Sequence, residues 1–314
     1  MFNKELVKII NLSTALPIIN EGVLLDGKTA PSYLTGSGTL GDHDTPSITI
    51  DASSFGFFPL LDISTNASNS IIQGLIFINN NFNSGNTIAI NDASSVSIDD
   101  CQFLNSSQNH IYVSNGSNVR IDNCLIDGAS DNNILLENNT NNTFIQFNTI
   151  VNASKRGIQV SGAGTDIKVL NNLIGTRLTP ASSYTNNDGN AQHGIHMEDS
   201  DATATNQQII EGNYIVKNGQ HGISIDEVAG FGSGSDYVRI VLNTIGATPN
   251  GMAMGNTQSG IIVGYSAFTT IENNQLVNNQ ERGVLLSNAL EGISVQNNYI
   301  ASNGSNCFSG IDIF

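Results

Sequence analysis

The hydrophobic residues of this chain recur in short alternating segments that repeat at a fixed interval. The clearest unit is Gln146-Phe147-Asn148-Thr149-Ile150, in which an Asn has an apolar residue two positions later and another, Ile145, three positions earlier. Apolar residues at every second position indicate strands with one buried face. The same unit returns around Asn172, Asn213, Asn243, Asn274 and Asn298.

Toward the N-terminus other residues fill the Asn position of this unit. Cys124, Cys101 and Gly74 each lie between apolar residues at similar offsets, and several of the intervals are 23 or 24 residues. A fixed period of this length, built from short strands, predicts a solenoid. A Gly that precedes a further alternating segment gives each unit a second anchor, as at Gly157, Gly222 and Gly283.

We therefore predict an all-β fold, a single right-handed parallel β-helix with three short strands per turn. It would have about nine clear turns, with residues 1–68 as irregular opening turns or a cap and residues 69–314 as the regular coil of one continuous domain. Stacked turns place like residues about 4.8 Å apart. An Asn amide can then donate to the Asn carbonyl one turn away, and Asn tolerates the left-handed backbone of sharp bends.

Composition excludes several classes of partner. The chain has 314 residues and a net charge of -16, with only 11 Lys plus Arg. This charge repels phosphates, which argues against nucleic acid, and equally against unassisted binding of uronate polymers. No stretch approaches the roughly 20 apolar residues of a membrane span. An acidic, Asn-rich chain suits an extracellular or cell-surface setting.

The two termini suggest a piece of a longer protein. The chain stops at Gly310–Phe314, inside a repeat unit, and its start lacks the apolar core of a signal peptide. An uncapped last strand would be an aggregation hazard. We expect a fragment whose signal peptide lies elsewhere.

The three cysteines indicate neither a disulfide scaffold nor a zinc site. Cys101 and Cys124 occupy the same position in neighbouring turns, about 5 Å apart and within disulfide range. In-register stacking points both side chains the same way, so we expect two small buried hydrophobic residues instead. Cys307 has no evident partner.

Two parts of the chain resemble a known repeat class. The stretch from Leu16-Pro17 to Leu25–Pro31 resembles the opening of right-handed β-helix regions in large bacterial surface and secreted proteins. Asn172–Thr176 and Asn243–Gly246 resemble the N-x-I-G turns of that class. The resemblance implies the pectate-lyase-like superfamily, which contains lyases, hydrolases, epimerases, phage tailspikes and adhesins. It implies a fold and does not choose among these functions.

Three long loops interrupt the regular period and are candidates for function. They span residues 176–189, 228–236 and 247–252. Because they belong to nearby turns, we expect them to cluster and to wall one groove.

The residues beside these loops form the candidate catalytic site. Arg156, His193 and His221 are predicted to stack in one column, while His196 and Glu198 should point outward. A His can act as the base of a β-elimination, and a carboxylate pair about 5 to 9 Å apart serves glycoside hydrolysis. The alternative is a merely polar outer face. The candidate catalytic residues are His193, His196, Glu198, His221 and Asp226.

The same patch supplies a candidate cation site. Glu198 and Asp226 should be near neighbours on adjacent turns and would suit a calcium ion, although no cofactor is required. Candidate substrate-binding residues near the loops are Arg156, Tyr184, Phe231, Tyr237 and Tyr265. The alternative for the aromatic residues is that they fold back over the coil.

No catalytic motif is complete in this chain. The polygalacturonase pattern fails because no Arg-x-Lys exists. Our first functional hypothesis is a cell-surface or secreted segment with a structural, adhesive or glycan-binding role. The second is a polysaccharide lyase or glycoside hydrolase that uses the His and carboxylate patch. The third is a phage tailspike, which would require a trimer.

Overall fold

The computed structural model describes residues 8–313, except 15, 54–58, 81–84, 107, 163, 180–182, 200–201, 226–234, 289–290 and 305–309. These residues form three parallel sheets wound into a right-handed solenoid of about nine turns. The predicted all-β parallel β-helix is confirmed. Strands before residue 68 pair with strands after it, and the proposed division at that residue stays a prediction.

We label the three sheets A, B and C. Along the chain, each turn contributes a strand to sheet C, then one to sheet A and then one to sheet B. Sheet A contains Lys8–Asn11, Ile48–Asp51, Leu75–Asn80, Gln102–Ser106, Leu125–Ala129, Thr149–Val151, Leu173–Ile174, Tyr214–Ile215, Thr244–Ile245, Gln275–Val277 and Tyr299–Ala301. Sheet B contains Leu61–Ile63, Ile88–Asn91, Ile111–Ser114, Ile134–Glu137, Ile158–Ser161, Ile195–Glu198, Ile223–Ile225, Ile261–Gly264, Val284–Ser287 and Ile311–Ile313. Sheet C contains Leu24–Asp26, Ile71–Gln73, Ser97–Asp99, Arg120–Asp122, Thr143–Gln146, Ile167–Leu170, Gln208–Glu211, Val238–Val241, Thr270–Glu272 and Ser294–Gln296.

A single short 3-10 helix, Thr65–Ala67, is the helical element of the described residues. Within this part of the chain, no helix has the length and apolar character needed to cross a membrane.

Columns of aliphatic side chains fill the interior. In one turn Ile145 of sheet C, Ile150 of sheet A and Ile158 of sheet B are all fully buried. The in-register pairing stacks each on an aliphatic residue of the next turn, as with Ile145 on Val169. Burying each such side chain contributes about 1.5–3 kcal/mol, so the repeat itself supplies the core.

The predicted Asn ladder runs unbroken from Asn148 to Asn298. The side-chain amide of Asn148 donates to Oδ1 of Asn172 at 3.0 Å, and its backbone N–H donates to the same oxygen at 2.9 Å. The pattern repeats at each following turn up to the hydrogen bonds from Asn274 to Asn298. Each ladder side chain thus satisfies buried backbone groups that would otherwise be costly.

Two details of the predicted corner are wrong by one residue. The left-handed residue precedes the ladder Asn, as at Phe147 with φ 58°. Sheet A pairs Ile76 with Gln102, so Leu75 takes the slot of Cys101. Gly74, with φ 65°, takes the left-handed position before it. Gly74 and Leu75 both have apolar residues at the expected offsets, so the sequence pattern alone did not show which of them takes the ladder position.

Cys101 and Cys124 are free and buried, as predicted. Burial, together with the neighbouring Cys101, raises the pKa of the Cys124 thiol well above its ordinary value. Cys307 lies outside the described residues.

Candidate functional site

Three closed loops gather on the outer side of sheet A. The N-terminal loop, residues 34–45, is closed by an antiparallel bridge between Leu34 and Thr45. Loop 176–189 contains a bridge between Leu178 and Tyr184, and loop 247–252 is closed by a bridge between Ala247 and Ala253. The last two leave sheet A at the same corner, as their place after Leu173–Ile174 and Thr244–Ile245 requires.

The third loop expected in this groove leaves the solenoid elsewhere. Loop 228–236 follows the sheet B strand Ile223–Ile225 and leads into sheet C, so it departs from a different corner. Most of it lies outside the described residues. The N-terminal loop, which the periodic pattern did not include, occupies the outer side of sheet A with the other two.

His43 fixes the N-terminal loop to the sheet. Its Nε2 lies 2.7 Å from Thr149 Oγ1 and its Nδ1 lies 3.1 Å from the Asn123 carbonyl oxygen. Burial lowers the pKa of His43 below its ordinary value. The neutral ring therefore donates to the carbonyl through Nδ1 and accepts from the threonine hydroxyl through Nε2. Gln102 adds a hydrogen bond to the Asp44 carbonyl at 3.1 Å.

A cluster of charged residues anchors the base of the same loop. Lys28 Nζ lies 2.6 Å from Asp99 Oδ2 and also pairs with Asp100, while the Tyr33 hydroxyl donates to Asp44. Burial alone would lower the pKa of Lys28, but its bonds to the two carboxylates raise it above the ordinary value. Burial, and then the Asp44 hydrogen bond, raises the pKa of Tyr33. These groups are mutually satisfied and hold the loop in place.

Three clefts surround residues 37–43 of this loop. The first, about 360 Å³, which we call the A-face cleft, is lined by loop residues 38–41 and by Asn123, Phe147, Asn171, Gly212 and Tyr214. The second, about 230 Å³, lies beside His43 and Arg177. The third, about 350 Å³, lies between the three loops and is lined by Tyr184 and Asn250. The two predicted loops on sheet A thus share a cleft.

The A-face cleft is uncharged and partly aromatic. None of its lining residues carries a charge. Phe147 is 46% exposed despite its size. In the two adjacent turns, Asn123 and Asn171 occupy the equivalent left-handed backbone position. Aromatic rings beside amide groups can bind a ligand that has both apolar faces and hydroxyl groups.

The predicted His column exists on the outer side of sheet B. The rings of His193 and His221 are parallel within 4°, with centroids 5.5 Å apart. The register of sheet B places Arg156 one turn before His193. His221 Nδ1 accepts a hydrogen bond from the Ser259 backbone N–H at 3.1 Å, which leaves its proton on Nε2.

His196 and Glu198 project from the outer face but are buried, each only 5% exposed. Strand alternation predicted their outward direction but not this burial. His196 Nε2 lies 3.8 Å from Glu198 Oε2, and Gln159 donates to Glu198 Oε1 at 2.7 Å. Arg156 in turn donates to Gln159 at 3.1 Å. The polar groups form a chain of contacts along the sheet instead of an open cleft.

Part of the predicted site cannot be placed in this chain of contacts. Asp226 and Phe231 lie outside the described residues. Among the residues that the structure describes, no group of three or more His, Cys, Asp or Glu side chains is arranged to hold a metal ion. The calcium site at Glu198 and Asp226 and the catalytic roles of His193, His196, Glu198 and His221 stay predictions.

The candidate substrate-binding residues separate into different surfaces. Tyr184 lines the cleft between the loops on sheet A, and burial, with the neighbouring Tyr214, raises its pKa. Tyr237 and Tyr265 lie at the corner between sheets B and C, as their positions beside Val238–Val241 and Ile261–Gly264 require. Arg156 lies on the His column of sheet B. These residues do not converge on one site.

Sequence reasoning missed a second Asn ladder at the corner between sheets A and B. It runs from Asn190 through Asn218, Asn256 and Asn279 to Asn303, with amide-to-carbonyl distances of 2.9 Å. A signal was present, because four of these Asn residues lie four positions before Gly194, Gly222, Gly260 and Gly283. This ladder fixes the bends at which the two loops leave sheet A. Phe147, Tyr214 and His43 were also missed, and only their exposure or long-range contacts identify them.

Comparison with known proteins agrees with this architecture. Residues 35–174 match the family model described as "Right handed beta helix region". No curated protein is close enough in sequence to count as a relative. The A-module of the mannuronan C-5 epimerase AlgE4 of Azotobacter vinelandii is similar in structure, with a TM-score of 0.58, 14% identity, and coverage of 98% of this chain and 87% of that chain.

Two other solved structures are similar at lower scores. PfbA, a surface adhesin of Streptococcus pneumoniae, has a TM-score of 0.47 and 14% identity over 81% of this chain and 78% of that chain. A tailspike protein of E. coli bacteriophage HK620 has a TM-score of 0.48 and 17% identity over 80% of this chain and 45% of that chain. The likeness to the AlgE4 module, at 14% identity, shows the fold alone. The chain is a right-handed parallel β-helix, and its segment 35–174 carries the sequence pattern of the right-handed β-helix region.

Proposed function

We propose that this chain is an extracellular or cell-surface β-helix segment that binds a neutral glycan in the A-face cleft. The observation that carries the proposal is an exposed Phe147 in an uncharged cleft of about 360 Å³ that Tyr214 also lines. A volume of this size accommodates a small number of sugar rings.

The side chains of the cleft match the chemistry of a sugar. A pyranose ring has apolar C–H faces, which pack on aromatic rings, and hydroxyl groups at its edge, which exchange hydrogen bonds with amides. Phe147 and Tyr214 supply the first kind of contact, and Asn123 and Asn171 lie close enough to supply the second. The rigid solenoid holds these residues in fixed register, so little ordering cost opposes binding.

The charge of the chain selects a neutral ligand. The net charge is -16, and no Lys or Arg lines the A-face cleft. The structurally similar AlgE4 module acts on mannuronan, whose sugar units are carboxylates. A carboxylated polymer would meet repulsion here without a cation to offset it, so we expect this chain to prefer uncharged sugars.

The backbone at Phe147 supports a binding role. A bulky residue with φ 58° is strained by about 1–2 kcal/mol, and the adjacent turns avoid this cost with Asn123 and Asn171. Strained residues concentrate at functional sites. An exposed Phe at this position contributes little to the core, and unlike the exposed Leu242 of the same column it lines the cleft, where its ring is available to a ligand.

The test is a glycan array and isothermal titration with Phe147→Asn. Asn occupies the same position in both neighbouring turns, so the fold should tolerate the change. We expect affinity for a neutral oligosaccharide to fall by about tenfold or more, because buried aromatic contacts often dominate binding. The matched control is Leu242→Asn, which replaces another exposed left-handed residue in the same column outside the cleft. Equal affinity of wild type and Phe147→Asn would reject the proposal.

A second candidate function is a polysaccharide lyase or glycoside hydrolase. It is favoured by the buried contact of 3.8 Å between His196 and Glu198, because water-excluded ionisable pairs are typical of catalytic sites. His196→Ala and Glu198→Ala should then abolish any polysaccharide cleavage that the wild type shows. Activity that survives both changes removes this site from consideration. The tailspike alternative requires a trimer in solution, which analytical ultracentrifugation measures.

A further inference from the structure

The corner between sheets B and C holds aromatic residues in backbone positions that small polar residues occupy elsewhere. Before sheet C, the left-handed position is taken by Asn69, Ser95, Asn118, Asn142 and Asp166 in the earlier turns. In two later turns it is taken by Tyr237, with φ 52°, and Phe268, with φ 53°. After sheet B, the corresponding position is taken by Tyr265, with φ 49°, and by Asn288 in the next turn.

This placement is unfavourable for folding alone. A left-handed backbone is strained for bulky residues and tolerated by Asn and Gly. Burial could offset the strain, but Tyr265 is 44% exposed and Phe268 is 39% exposed. The rings of Tyr237 and Phe268 stack with centroids 4.7 Å apart, which recovers part of the cost for these two residues. The hydroxyl oxygen of Tyr265 accepts a hydrogen bond of 3.2 Å from the side-chain amide of Asn288.

We infer that this corner is a second sugar-binding surface, separate from the A-face cleft. Aromatic rings that remain exposed at an energetic cost are suited to contact a ligand. The adjacent outer face of sheet C carries planar polar groups. Arg239 Nη2 lies 2.7 Å from Glu272 Oε1, and Gln296 donates to the same carboxylate at 3.3 Å. Such groups bind pairs of sugar hydroxyls, while the rings contact the apolar face.

The ligand class is again a neutral glycan. Arg239 and Glu272 neutralise each other, and the rest of the chain is strongly acidic, with a net charge of -16. An anionic polymer would therefore be repelled at this corner as well. The corner between sheets B and C is a different corner from the one between sheets C and A, where Phe147 lies. Two surfaces at separate corners allow one chain to hold two glycan strands, which raises the apparent affinity for a polymer.

The test is native electrophoresis in gels that contain galactomannan, xyloglucan, arabinoxylan or dextran. The variants are Tyr265→Asn and Phe268→Asn, singly and together, in the wild-type background and in the Phe147→Asn background. Asn is the residue found at both positions in other turns. We expect the melting temperature to stay equal or rise, because the strain is relieved. Retardation should fall partly in the wild-type background and by about tenfold or more in the Phe147→Asn background.

Each outcome decides between the two surfaces. If Phe147→Asn alone removes all retardation, the A-face cleft stands and the corner is not a binding surface. If the corner variants lower the melting temperature and leave retardation unchanged, the aromatic residues are structural and the inference fails. If the wild type self-associates in sedimentation and Tyr265→Asn does not, the corner contacts a second copy of the chain, which also overturns it. If no gel retards the wild type, neutral glycans are wrong for both surfaces.

Discussion

Replacing His110 with Asn should remove a large part of the acid sensitivity of this solenoid. His110 is 1% exposed. Its Nε2 donates to the Asp127 carbonyl at 2.9 Å, and Thr87 Oγ1 lies 3.3 Å from its Nδ1. Burial lowers the pKa of His110 to about 4. The folded state therefore holds the ring neutral, whereas the unfolded chain protonates it near its ordinary value.

The sign and size of the effect follow from this difference in pKa. The folded pKa is depressed from 6.5 to about 4, so stability is complete above pH 6.5 and falls as the pH drops toward 4. One pKa unit corresponds to about 1.4 kcal/mol, so the loss is about 3 kcal/mol. His43, whose pKa is also lowered by burial, adds to the loss in the same direction. Asp99 and Asp122, whose pKa values burial raises, act in the opposite direction.

The Asn variant isolates the contribution of His110. Asn133 occupies the equivalent buried position one turn later, so the fold already accepts Asn there. Because a solenoid can unfold a few turns at a time, the free energy of opening is best measured by hydrogen exchange of Ile111 and its neighbours at several pH values. The contributions of His43 and the two carboxyls cancel in the difference between wild type and variant.

We expect the wild type to lose about 3 kcal/mol more than His110→Asn between pH 6.5 and pH 4. An NMR titration of the imidazole should show it neutral until about pH 4. Parallel stability curves for the two proteins, or a ring that titrates near 6.5, would refute the reasoning.

Two further predictions concern the anchors of the fold and of the loop. Asn213→Ala should destabilise the coil by about 3 kcal/mol or more, because it leaves several buried hydrogen-bonding groups unpaired. Asn298→Ala should cost less, because Asn298 is only half-buried at the end of the ladder. Urea unfolding followed by circular dichroism measures both free energies, and equal effects would contradict the ladder argument. Lys28→Met leaves the carboxylates of Asp99 and Asp100 without their cation, so hydrogen exchange of the Leu34 and Thr45 amides should accelerate. The control is Lys155→Met, which breaks the exposed ion pair with Asp131, worth about 0–1 kcal/mol, and should not change that exchange. Unchanged exchange in Lys28→Met would show that the charged cluster does not hold the loop.

The periodic part of the fold could be predicted from the sequence because its interactions repeat. Each turn places an amide and an aliphatic residue at fixed offsets, so the spacing alone identifies Asn148 and Asn172 as partners in one column. The prediction that Gly74 takes the ladder position was wrong by one residue. A single turn offers no repeat against which its register can be tested. The second ladder at Asn218 and Asn256 was detectable by the same reasoning from the Gly residues that follow it.

The candidate site was harder to predict because its contacts are not periodic. His43 bonds to Asn123 and Thr149 across 80 and 106 residues of sequence, and no local pattern indicates that docking. The outward direction of His196 and Glu198 followed from strand alternation, but their burial depends on what covers the sheet. Phe147 is part of the ladder motif in the sequence, and only its exposure and its place in the cleft make it a candidate ligand contact.

The most direct test of the proposed glycan site is hydrogen exchange with and without a neutral oligosaccharide that the array identifies. Binding in the A-face cleft predicts slower exchange of the amides of residues 38–41, Gly212 and Tyr214, which line it, and much weaker protection in Phe147→Asn at the same oligosaccharide concentration. Protection confined to the His193 and His221 column, or equal protection of the cleft in wild type and Phe147→Asn, would contradict the account.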